Sequence, residues 1–303
     1  MDTNSKLSNN TAVILVSHGS TLPYAEDVFS EIKEKFIKKT GIATEIGYMK
    51  VSQPTIAGAV EILKEEVDDL DKIIALPVFL APGIHTNIDI PQLLGLKPLE
   101  VDPRCPDGNY PPEHYLSTAG DVDFDGEIEL LSSIGPRDEL LDIIDKRIGE
   151  ALAQSELDDA KTGILLVTHG SRLNYNKEFA TELYNKFEKT CDLPSSFGFM
   201  ELCGPSIPES INKLVDENDL ERLVVVPVFI APGMHTTHDI PHILGFLEEH
   251  EHEHSHSHGH DHGHDHSHDL TPVEFDGEIL YPEPIKADDI LIDILASMVD
   301  EEL

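Results

Sequence analysis

Basic residues are scarce in this chain. Its 303 residues hold 21 Lys and Arg against 58 Asp and Glu, a formal net charge of −37. That balance excludes a nucleic-acid partner, because phosphate contact needs clustered cations. It fits a highly solvated protein, and it speaks to solubility, not to fold. Cysteine is nearly missing as well. Cys105, Cys191 and Cys203 contain no CxxC pair and give no disulfide framework, so a reducing cytoplasm is the simplest setting. No apolar run is long enough to span a bilayer, which excludes a membrane role. The opening Met1-Asp-Thr-Asn-Ser-Lys lacks the basic and apolar regions of a secretory signal, and a cytoplasmic location is expected. A GxGxxG pattern and a Walker-type phosphate loop are both absent, which argues against an ATP-driven reaction.

What is present is a repeat. Pro77-Val-Phe-Leu-Ala-Pro-Gly-Ile-His85 runs on to Asp89-Ile-Pro91, and Pro227-Val-Phe-Ile-Ala-Pro-Gly-Met-His235 runs on to Asp239-Ile-Pro241. Upstream, Ala12-Val-Ile-Leu-Val-Ser-His18-Gly-Ser20 matches Gly163-Ile-Leu-Leu-Val-Thr-His169-Gly-Ser171. The chain is therefore a duplication at an offset of 150 to 151 residues. The first domain is expected over 11–153 with an insertion loop at 97–120. The second is expected over 162–303 with a histidine-rich loop at 248–270.

A continuous Val- and Ile-rich run at 12–17 reads as a strand buried on both faces, 43–49 alternates as a second strand, and 72–80 and 126–131 are the third and fourth. Apolar spacing predicts helices over 23–39, 54–67 and 136–152, with a short helix starting near Asp89. Strand and helix alternate, so each half is α/β with a mainly four-stranded parallel sheet. Such sheets bind ligands beyond the carboxyl ends of their strands, where strand order reverses. His18, His85, His169 and His235 belong at that edge, and strands one and three must be adjacent for each pair to meet.

A third position completes the set. Strand two ends in Gly47-Tyr-Met-Lys50 in the first half and in Gly198-Phe-Met-Glu201 in the second. His169, Glu201 and His235 then offer two imidazoles and a carboxylate, a donor set for cobalt, nickel, iron or zinc. The plain alternative is a loop histidine that donates to a backbone carbonyl. Lys50 could pair with a substrate carboxylate or could be a surface lysine.

These motifs resemble the ATP-independent sirohydrochlorin chelatases. The likeness rests on His-Gly-Ser after strand one, Met-Glu with a nearby Pro-Ser-Ile after strand two, and the Pro-Val-Phe-Ile-Ala-Pro-Gly-Met-His segment after strand three. It covers nearly the whole chain twice, as though a homodimer of the short archaeal form had been fused. The resemblance implies two similar three-layer domains facing a shared cleft that holds a reduced tetrapyrrole. It implies insertion of cobalt or nickel, for cobalamin or a nickel tetrapyrrole of methanogens, with iron insertion for siroheme as a further alternative. The divalent metal and sirohydrochlorin are the expected partners, no cofactor or ATP is expected, and the fused chain is expected to be a monomer.

Residue by residue, the likeness makes His169, His235, His18 and His85 metal ligands, and His169, Glu201 and His18 catalytic. The stretches Leu80, Ala81, Pro82, Gly83, Ile84 and His85, and Ile230, Ala231, Pro232, Gly233, Met234 and His235, would line the macrocycle, with Lys50 and Arg172 beside them. The pattern fails at Lys50, where a cation replaces the carboxylate, and Thr21 stands where the second half has Arg172. One dominant site at His169, Glu201 and His235 is therefore expected.

The second insertion alternates histidine with Glu, Ser, Gly and Asp: His250, His252, His254, His256, His258, His260, His262, His264, His266 and His268. Such a tract cannot form a packed core and reads as a disordered auxiliary metal reservoir or as a low-complexity expansion. Two other functions compete with the enzyme. One is a non-catalytic metal store, which would need no placed base. The other is a hydrolase with Ser20 or Ser171 as nucleophile, for which no G-x-S-x-G elbow exists.

Overall fold

The computed structural model describes residues 10–247, 273 and 275–303. The histidine tract from His250 to His268 lies outside the described residues.

The first half runs β1 (Thr11–Ser17), α1 (Pro23–Thr40), β2 (Ala43–Tyr48), α2 (Ile56–Glu66), β3 (Lys72–Pro77), a π-helical turn (His85–Asp89), α3 (Ile90–Leu93), α4 (Tyr115–Thr118), β4 (Glu127–Leu130) and α5 (Glu139–Leu152). The second half repeats it as β5 (Thr162–Thr168), α6 (Asn174–Phe187), β6 (Ser195–Phe199), α7 (Ile207–Asn218), β7 (Arg222–Pro227), a second π-helical turn (His235–Asp239), α8 (Ile240–Ile243), β8 (Glu278–Leu280) and α9 (Asp289–Asp300). The sheets are parallel, with orders β2-β1-β3-β4 and β6-β5-β7-β8. Strands one and three of each half are therefore neighbours, and the strand order reverses between them. No helix among the described residues is long and apolar enough to cross a membrane.

The local chemistry sets these limits. Pro23 opens α1, where its missing N–H is no loss. Gly41 ends it with φ of 72°, its N–H donating to Ile37 O. Ser206 and Glu209 form a reciprocal capping box on α7.

Three details differ from the sequence expectation. Strand three stops at Pro77 rather than at residue 80, because β1 has ended at Ser17 and leaves nothing beyond it to pair with. The helical turn starts at His85 rather than near Asp89 and is wider than an α-turn, with Ile90 N–H donating to His85 O. Pro91 follows it; in an α-register its ring would collide with the carbonyl four residues back, and the wider turn avoids this. The 97–120 stretch also carries a helical turn, α4.

Alternate strand residues face different cores. Ile14, Val16, Ile73 and Ala75 point outward against Ile56 and Leu63 of α2 and Ile90 of α3. Val13, Leu15, Ile74 and Leu76 point inward, into one core shared with Ile164, Leu166, Val224 and Val226 of the other sheet. Helices α1, α5, α6 and α9 fill the space between. The terminal helices cross over: α5 packs on β7, and α9 packs on β3 and α1. Each half thus finishes its inner layer with the other's last helix. Arg147 of α5 reinforces the exchange, donating to the carbonyls of Pro284 at 3.1 Å and Ile285 at 2.7 Å.

Candidate metal centre

The site forms at the carboxyl edge of both sheets. His18 and His169 follow strand one, Lys50 and Glu201 follow strand two, and His85 and His235 open the π-helical turns after strand three. Two contacts fix the first two positions. Lys50 N–H donates to His18 O at 3.3 Å, and Glu201 N–H donates to His169 O at 3.0 Å. The glycine after each histidine lets the strands close this far. A Cβ on Gly19 would lie 1.9 Å from Lys50 O, and one on Gly170 would lie 1.9 Å from Glu201 O. Both glycines also have positive φ, 86° and 91°, which L side chains rarely adopt.

In the second half three side chains converge. His169 Nε2 lies 3.2 Å from His235 Nε2 and 3.3 Å from Glu201 Oε1. Among the described residues, these are the three His, Cys, Asp or Glu side chains whose ligand atoms all lie within 4.8 Å of one another, close enough to hold a metal ion together. The outward nitrogens set the tautomers. His169 Nδ1 meets the Gly170 carbonyl at 3.0 Å; a carbonyl only accepts, so Nδ1 carries the proton. His235 Nδ1 donates to Asp239 Oδ2 at 2.7 Å. Both Nε2 lone pairs therefore point into the same space, beside a carboxylate that is 9% exposed. A carboxylate behind a ligating imidazole is the usual support for a metal-bound histidine. Burial holds the His169 imidazole below its ordinary pKa; the Gly170 carbonyl opposes this, the His235 imidazole adds to it, Glu201 opposes it, and His85 adds to it. A lowered pKa keeps the ring neutral and free to ligate.

The first half keeps the frame and changes the charge. His18 and His85 stand with ring centroids 5.0 Å apart, and their Nδ1 atoms meet Gly19 O and Asp89 Oδ2 as in the second half. Lys50 replaces the carboxylate and lies over the Tyr115 ring, 5.5 Å from its centroid. Burial first, then the His85 and Lys50 charges, lower the His18 pKa to about 4. Asp89 is fully buried. Tyr115 OH donates to its Oδ2 at 2.5 Å, and the Arg104 guanidinium is bound to its Oδ1.

Side chains of the two halves meet along a seam beside the half-sites. Tyr24 OH meets Thr237 Oγ1 at 3.3 Å, and Tyr175 OH bonds Glu100. A cavity of about 410 Å³ lies along this seam, with Gly83, Ile84, Glu100 and Tyr175 in its wall. Leu80, Ala81, Ile230 and Ala231 pack partly buried against the shared core. Pro82 and Met234 are exposed, Pro232 and Gly233 half-buried, and Arg172 is exposed at the turn before α6. Sequence reasoning missed Arg104 and Tyr115, which lie in a stretch without periodicity. It quoted Asp89 and Asp239 without a role, although their spacing of four from each histidine was the available signal.

The CbiX family profile matches the chain twice, over residues 12–151 and 163–302. A sirohydrochlorin cobaltochelatase of Methanothermobacter thermautotrophicus is 44% identical over 139 residues, covering 46% of this chain and 91% of that protein. A probable sirohydrochlorin cobaltochelatase of Halobacterium salinarum is 25% identical over 232 residues, covering 76% of this chain and 75% of that protein. The structure of SirB from Bacillus subtilis with Fe3+ superimposes with a TM-score of 0.64 over 96% of this chain and 95% of that one, at 16% identity. That likeness is one of fold.

Proposed function

The chain belongs to the CbiX family, and from that premise we propose that it inserts a divalent metal, cobalt, into sirohydrochlorin without ATP. The observation that carries this reading is the convergence of His169, Glu201 and His235 at the edge of the seam. The relatives' names, sirohydrochlorin cobaltochelatase, support cobalt and the macrocycle.

The chemistry follows from the residues. His169 and His235 take up the metal through their Nε2 atoms while Glu201 balances its charge. Metallation must remove two pyrrole N–H protons as the metal sheds water. Glu201 and an imidazole Nε2 freed as the metal passes to the ring are the acceptors, and general-base assistance of this kind contributes roughly 10²–10⁴ in rate. Holding ring and metal face to face supplies a further large share by proximity. Lys50 attracts a macrocycle carboxylate, so the first half orients the ring while the second delivers the metal. The segments after Leu80 and Ile230 line the ring. One chain carries both walls of the cleft and works as a monomer in the cytoplasm.

The test is an absorbance time course with sirohydrochlorin and cobalt or nickel, without ATP, beside a no-enzyme control. Faster metallation with cobalt than with nickel is expected. No acceleration with either metal, despite tight metal binding, would replace the enzyme with a storage protein.

A further inference from the structure

The π-helical turn that carries His235 continues into α8 and presents two more histidines, His238 and His242. They stand four residues apart, so they share one side of the helical path. Their rings are nearly parallel, 15° between planes, with centroids 6.4 Å apart. Asp239 stands between them and the metal centre. Its Oδ2 holds His235 Nδ1 at 2.7 Å, and its Oδ1 meets His238 Nδ1 at 3.1 Å. His242 Nδ1 is buried and has no hydrogen-bond partner among the described residues. A buried polar atom left so is unfavourable and calls for an explanation.

The first half indicates which chemistry belongs there. At the repeat offset, His238 corresponds to Ile88, Asp239 to Asp89 and His242 to Gln92. Ile88 is buried and apolar. Asp89 gives its second oxygen to the Arg104 guanidinium. Arg104 is held in turn by Asp102 at 2.7 Å, Asp102 accepts from Tyr110 OH at 2.6 Å, and Tyr110 OH accepts from Gln92 at 3.0 Å. A fixed cation therefore sits behind the histidine-bearing turn of the first half, and residue 92 belongs to the chain of bonds that holds it. In the second half both positions flanking the carboxylate have become imidazoles. Two imidazoles beside a carboxylate suit a first-row divalent cation.

We propose that His238 and His242 bind a second divalent metal ion, the His238 ring being oriented by Asp239 Oδ1, the counterpart of the oxygen that holds the Arg104 guanidinium in the first half, and that this ion loads the centre at His169, Glu201 and His235. Asp239 makes the two sites neighbours, since one carboxylate supports a histidine of each. The binding site stands on this geometry alone; the loading role rests on the chelatase reading.

The direct test is anomalous scattering at the cobalt edge from crystals of the full chain soaked in Co2+. Two peaks are expected, one at His169 and His235 and one at His238 and His242. A peak at the first pair without one at the second would overturn the inference and leave the chelatase reading intact. Two peaks in a protein that fails to accelerate metallation would sustain the site and defeat the loading role together with the chelatase reading. The companion variant carries the first half's residues, His238→Ile with His242→Gln. It should raise the KM for cobalt several-fold and leave kcat at saturating cobalt unchanged. An unchanged KM would overturn the loading role, and so would a lost kcat, which would place both histidines in the primary centre.

Discussion

The two half-sites share their backbone and differ in their charges. Each has a histidine after strand one, clamped by a glycine to the end of strand two, and a histidine on a π-helical turn backed by an aspartate. The second half adds Glu201 beside its two histidines. The first adds Lys50 and ties Asp89 to Arg104 and Tyr115. The Asp89 side chain is 0% exposed and that of Asp239 24%. The frame decides where side chains meet, and the residue after strand two sets the charge at the meeting point, Glu201 in one half and Lys50 in the other.

The largest effect should come from the residue that distinguishes the halves. Glu201→Gln should slow metallation by roughly 10² or more, as loss of a positioned base does, while Lys50→Ala should cost less than about tenfold. Equal losses in the absorbance assay would end the division of labour. A smaller contrast concerns the supporting carboxylates. Asp239→Asn should weaken cobalt binding about 10–100-fold, the usual cost of losing the group behind a ligating histidine. Asp89→Asn should leave cobalt affinity unchanged and lower stability by about 2 kcal/mol, the scale of a hydrogen bond to a charged group. Equilibrium dialysis and urea melts on both variants separate the two; a fall in cobalt affinity for Asp89→Asn would make the halves equivalent.

The smallest effect is a pH dependence to which His18 in the first half and His169 in the second both contribute, since burial lowers both. His18 is depressed from 6.5 to about 4 in the folded chain. Between those values the unfolded chain binds the extra proton and the folded chain does not, so stability falls as the pH drops from 6.5 toward 4 and is level above it. His18→Gln should flatten that part of the profile. Urea midpoints at pH 5 and pH 7 measure it, and an unchanged slope in the variant would assign the acid sensitivity to other groups.

Much of the architecture was legible in the sequence because parallel strands buried on both faces write themselves as apolar runs. The repeat then gave each element a second witness. The histidines could be placed at the sheet edge because the runs stop on them. Two parts were not legible. Arg104 and Tyr115 reach Asp89 from 15 and 26 residues away, through a stretch whose Pro, Gly and Asp carry no period. The crossing of α5 and α9 is hidden for a different reason: a helix packed on its own sheet and one packed on its twin's sheet present the same apolar stripe.

That crossing has a consequence for how the protein is made. The helix that packs on β3 (Lys72–Pro77) is α9 (Asp289–Asp300), from the far end of the other half. The inner face of the first sheet, with Ile74 and Leu76 at its centre, is synthesised early and lacks part of its cover until α9 has been made. Domains commonly fold as units while the chain is still emerging, N-terminal first. Here the amino-terminal sheet is completed only once α9 of the second half has been made, so the two halves finish their packing together.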